Sequence, residues 1–169
     1  MGDAQEDATS RFLGLAVDGD AAALESMVSS KVVGVDVTES QSGGVTALCV
    51  AASRGHRKAV EMLLRLGATP HKVQNKAAVT GNTPLHFAAM GGDVGVLKLL
   101  ADAGADVRVR NKQEDSVLLH AAVSGKADAV RWLLENGCAE DALGRNKKGV
   151  TPLAAATRRA QELHAAGNP

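Results

Sequence analysis

Five histidines and two cysteines are the side chains in this sequence whose types could do chemistry. Metal binding asks for ligands that share a helix face or a tight loop, as two histidines four residues apart do. His56, His71, His120 and His164 have no such neighbour, and neither Cys49 nor Cys138 stands at a ligand spacing from a histidine. A nucleophile needs a base positioned beside it, and the sequence supplies no such constellation. Gly43-Gly44 and Gly91-Gly92 fit neither the G-x-G-x-x-G fingerprint nor the phosphate loop. The residues therefore point away from catalysis, bound metals and cofactors. His86 follows Thr83 by three positions, so on a helix its imidazole reaches the Thr83 side chain and the nearby loop backbone, a structural role. Cys49 reads as a small buried residue and Cys138, directly after Gly137, as an exposed one.

The elements that carry these side chains are short helices with clear punctuation. Thr83 is an N-cap type, Pro84 suits the first helical position, and Leu85, Ala88 and Ala89 make a small-sided apolar face. Gly91-Gly92 stops this helix after about two turns. Asp93 caps a second helix with Val96, Leu97, Leu99 and Leu100 on one side, and Gly104 ends it. The unit recurs: Thr46-Ala47-Leu48-Cys49 precedes it, and Ser116-Val117-Leu118-Leu119 and Thr151-Pro152-Leu153 follow.

Thr83-Pro84-Leu85-His86-Phe87-Ala88 matches the T-P-L-H-x-A signature of the ankyrin repeat, and the glycine turn, leucine run and Gly104-Ala105-Asp106-Val107 extend the match over the unit. The chain thus resembles an ankyrin-repeat protein: an all-α solenoid of stacked helix-turn-helix units with projecting loops, about 4.5 repeats long. Residues 1–9 read as a disordered tail, with Ser10 capping the first helix. Residues 10–169 form one domain: a capping repeat over 10–40, internal repeats over 44–80, 81–113 and 114–148, and a partial or capping repeat over 149–169. The last unit lacks an internal glycine turn, so it is either one continuous helix or an interrupted repeat. The loop near 70–80 is longer than its neighbours and should project. The third internal repeat lacks Pro and His and has Glu114 where glycine leads, which predicts a looser first turn. Trp132 reads as packing between repeats.

Composition fits thin layers better than one deep core. Of 169 residues 45% are apolar but only 2% aromatic, so the layers must be built of Ala, Leu and Val. No 18-residue apolar run suggests a membrane span, and no secretory leader is seen; the expectation is a cytoplasmic monomer, with the nucleus as alternative compartment. The net charge of zero is split: residues 1–40 hold eight carboxylates and two cations, the remainder eleven and seventeen.

In the resembling family, partners dock on inter-repeat loops and on the inner face of the first helices. Carried over, this implies Val45, Ser53, Arg54, Thr80, Asn82, Met90, Lys112, Gln113, Asp115, Val123, Ser124, Lys147, Lys148, Val150, Arg158 and Arg159 as contact positions. Arg108, Arg110 and Lys112 lie in one loop and Arg145, Lys147 and Lys148 in the next, so stacking predicts a basic patch on the concave face, joined by Arg158 and Arg159. The expected function is non-catalytic binding of another protein with an acidic surface or peptide. The alternatives are a regulatory domain of a larger enzyme or effector and a polyanion binder; balanced charge and few aromatics count against nucleic acid.

Overall fold

A computed structural model describes residues 2–38, 44–71 and 80–167. The described helices are α1 (Gly2–Asp18), α2 (Ala21–Ser29), α3 (Ala47–Arg54), α4 (Arg57–Arg65), α5 (Pro84–Gly91), α6 (Val94–Asp102), α7 (Val117–Val123), α8 (Ala127–Leu133) and α9 (Pro152–Ala165). Local chemistry sets their ends. Thr46, Ser116 and Thr151 accept the backbone N–H three residues on, from Cys49, Leu119 and Ala154 at 3.3, 3.1 and 3.1 Å. Asp20 and Asp93 do the same for α2 and α6, from Ala23 and Val96, both at 3.0 Å.

The odd-numbered helices pack in sequence as an inner row, and α2, α4, α6 and α8 stack as an outer row. This is the all-α solenoid that the repeat pattern predicts. Small side chains allow the inner row its close spacing: Ala51, Ala52, Ala88, Ala89 and Ala121 are buried. At Gly91 a Cβ would stand 2.5 Å from the Ser53 carbonyl oxygen, so α5 can lie this near α3 only with glycine there. Between the rows run Phe12, Leu24, Leu48, Leu63, Leu85, Leu97, Leu100, Leu118 and Leu133, all buried in one continuous core. Trp132 is half-buried against that core, as expected.

Three expectations change and one alternative is decided. Residues 2–9 are helical rather than a tail: α1 runs from Gly2, and Ser10 lies inside it. Thr9, Phe12, Leu13 and Ala16 form a buried stripe at helical spacing, and a polar composition hides the stripe's first member. Cys138 is buried rather than exposed, its thiol on the Val107 carbonyl at 3.3 Å. Gly137, at φ 103°, returns the chain to the core as Gly104 does, so Cys138 occupies the place of buried Ala105. The last unit is the continuous helix of the two alternatives, α9. Leu153, the counterpart of fully buried Leu85, is 55% exposed because none of the described outer helices covers α9. The projecting loop expected near 70–80 falls mostly outside the described residues.

Candidate functional site

His86 is fully buried at the start of α5. Its Nε2 lies 3.2 Å from the Asp115 carbonyl oxygen, which can only accept, so Nε2 carries the proton. Nδ1 is then an acceptor, and it receives the Thr83 N–H at 3.1 Å and the Thr83 hydroxyl at 2.9 Å. Burial, reinforced by the neighbouring His120, lowers the His86 pKa to about 4, so the ring is neutral. His120 meets it edge to face, with ring centroids 5.1 Å apart, and burial lowers its pKa too. The pair locks one repeat to the next. At Cys138 desolvation raises the pKa to about 11, which keeps the thiol protonated. No cluster of three metal-ligating side chains occurs among the described residues.

A polar spine that sequence reasoning missed runs beneath the loops. The Asn111 side-chain oxygen accepts the N–H groups of Gln113 and Asp115 at 2.8 and 2.9 Å, and Asn146 accepts those of Lys148 and Val150 at 3.0 and 2.8 Å. Each asparagine shapes its loop. The Asn111 Nδ2 donates to Asn82 at 2.7 Å and to Asp115 at 3.2 Å, and the Asn146 Nδ2 donates to Asp115 at 2.6 Å. The recurrence of asparagine in consecutive loops was the available signal. Two candidates are thereby reassigned: Asn82 is buried, and the Asp115 carboxylate is occupied in joining loops. Backbone bonds continue the lattice, from Lys112 N–H to Thr80 and from Lys147 N–H to Gln113, at 2.9 and 3.0 Å.

The expected basic patch is brought together only in part. Arg108 pairs with Glu140 at 2.7 Å, and Arg110 closes on Asp141. Both acids come from the short 3-10 turn Ala139–Leu143 after α8. Arg158 and Arg159 share Glu162, at 3.1 and 3.2 Å. The Arg145 guanidinium caps the Gly149 carbonyl at 3.1 Å, and the Lys147 ammonium donates to the Lys112 carbonyl at 2.6 Å. Lys147 and Lys148 are exposed, as is Arg54 on α3.

Beside these cations the inner-helix face shows apolar side chains. Met90 on α5, Val123 on α7 and Val150 before α9 are 40%, 57% and 37% exposed. Val123 and Val150 border two adjoining hollows, of about 250 Å³ beside Leu119 and His120 and about 290 Å³ beside Ala155 and Arg158. An exposed apolar strip rimmed by charge is what a protein-binding face looks like. No described helix is long and apolar enough to cross a membrane.

The family model for ankyrin repeats (3 copies) matches residues 13–111 and 95–165. Among curated proteins, the chain is 41% identical over 110 residues to the ankyrin repeat and KH domain-containing protein mask-1 of Caenorhabditis elegans, covering 64% of this chain and 4% of that protein. It is 37% identical over 93 residues to the inactive serine/threonine-protein kinase TEX14 of Bos taurus, covering 55% and 6%. It is 38% identical over 98 residues to the E3 ubiquitin-protein ligase KEG of Arabidopsis thaliana, covering 54% and 6%. The matched segments are thus small parts of much longer relatives.

Proposed function

We propose that this chain, which belongs to the ankyrin-repeat family, binds a partner protein through the inner-helix face and loop tips of its C-terminal half. Ankyrin repeats are generally protein-interaction modules. The observation that carries the finer reading is a division of labour among side chains. Those able to do chemistry, His86, Asn111, Asp115 and Asn146, are consumed by the scaffold. Met90, Val123 and Val150 stay exposed beside Lys147 and Lys148. The partner segment is acidic with apolar anchors, and the chain acts as a cytoplasmic monomer without catalysis of its own.

A peptide library panned against the chain tests this. Peptides mixing acidic and apolar residues should be recovered, and Val123→Glu or the double change Lys147→Glu with Lys148→Glu should remove them without altering the unfolding midpoint. The lysine effect should fade as salt rises. Recovery of basic or charge-indifferent peptides would overturn the reading, and retention on heparin at physiological salt would favour a polyanion instead. A second reading is an ankyrin region serving a larger protein, favoured because the relatives carry their matched segments within kinase-like, ligase and KH-containing chains.

A further inference from the structure

Among the described residues the outer row runs as far as α8 and the inner row as far as α9. Beyond α8 lies a groove of about 480 Å³ whose floor is Val130, Leu134, Ala156, Ala160 and Leu163. Every exposed leucine among the described residues gathers at this end: Leu153 and Leu163 on α9, Leu134 directly after α8 and Leu143 in the turn between the two helices.

We propose that this groove is a docking site for an amphipathic helix of a partner protein, with an apolar ridge and acidic flanks. The shape argument comes from the solenoid itself. Each outer helix packs on the preceding one, α4 on α2, α6 on α4 and α8 on α6, and the groove continues that interface by one more step. Its small residues, Ala156 and Ala160 one turn apart and Ala122 and Gly125 opposite, let a helix backbone approach closely. Anchors at i, i+3, i+4 and i+7 would meet Val130, Leu134 and Leu163.

The charge argument is separate. Lys126, Arg131 and Arg159 line the groove, and no carboxylate does. Arg131 and Arg159 are held by Asp128 and Glu162 at 3.4 and 3.2 Å, in exposed pairs within single helices that compete weakly with an incoming carboxylate. The Arg159 Nε is buried over Gly125 and finds no acceptor among the described residues. An acidic side chain entering beside α9 would supply one. The site differs from the inner-helix face proposed above and does not depend on it.

The test uses a synthetic helical peptide of about 14 residues, two helical heptads, with leucines at the ridge positions and glutamates on both flanks. A second peptide has lysines in place of the glutamates. The acidic peptide should bind in fluorescence anisotropy, with amide shifts confined to α8, α9 and the Ala122-to-Ala127 turn in NMR spectra. The lysine version should bind at least about tenfold more weakly. Ala160→Trp, an exposed position that fills the groove, should abolish binding and leave the unfolding midpoint unchanged. Arg131→Glu together with Arg159→Glu should reverse the preference between peptides. Equal binding of both peptides, shifts centred on Met90 and Val123, or survival of binding in Ala160→Trp would overturn the proposal. So would self-association of the chain that Ala160→Trp abolishes, which assigns the groove to a second copy. Exclusion of the peptide by a longer natural chain would assign the groove to the protein's own sequence and would overturn the proposal as well.

Discussion

Thr83 and the Asp115 carbonyl hold His86 in the form with a proton on Nε2 only, and this has a consequence for stability. The folded pKa near 4 lies below the ordinary 6.5, so between these values the unfolded chain binds a proton that the folded chain refuses. The stabilisation is complete above about pH 6.5 and is lost as pH falls toward 4, by about 3 kcal/mol. Urea unfolding at about pH 7 and about pH 4.5 should show a steeper loss in the native chain than in His86→Gln, and equal slopes would refute it. Glu114 at φ 60° and Lys31 at φ 56° are the non-glycine residues with left-handed backbone among the described residues. A left-handed residue with a Cβ costs roughly 1–2 kcal/mol, offset in part by the greater freedom of an unfolded glycine. Glu114→Gly should therefore raise stability by about 1 kcal/mol, read from the denaturant midpoint at constant slope.

Among the elements, the last unit is held differently from the rest. The continuous core runs from Phe12 to Cys138, whereas the seam of α7 with α9 is a separate cluster of Leu119, Ala122 and Ala155. Local opening should follow that division, since regions with fewer buried apolar contacts open at lower cost. Hydrogen exchange should find the amides of α9 least protected, then those of α7 and α8, with α5 and α6 the slowest. Best protection over residues 116–134 would contradict this order. Within α6, Leu100→Ala removes a fully buried side chain and should cost about 2–5 kcal/mol.

For the whole molecule, stability is a sum over neighbours, because each repeat touches only the ones beside it. Removing residues 1–40 strips α1 and α2 from α3 and α4, uncovering the apolar faces that those two helices turn toward them. The unfolding transition should move to lower denaturant and broaden. An unchanged midpoint and slope would mean that the first unit is an appendage rather than the start of the core.

The sequence by itself determined the repeat fold and the cap of nearly every inner helix. Both follow from local rules: a Thr or Ser before a short apolar run, a glycine after it, and the same pattern again about 33 residues on. It also placed Cys49 in the core and His86 against Thr83. Distance in sequence defeated the rest. The neutralisation of Arg108 and Arg110 depends on Glu140 and Asp141 from a turn about thirty residues away, and spacing within one loop carries no trace of those partners. Asn82 and Asp115 looked like surface positions until stacking brought Asn111 and Asn146 against them. The burial of Cys138 follows from its register with Ala105, which only the path of the chain past Gly137 makes visible. Above all, the tertiary structure decided which faces stay uncovered. An apolar residue is legible in sequence, but whether a neighbouring helix lies over it is a property of the assembled stack. Leu85 is buried and Leu153 is exposed on the same signature for that reason.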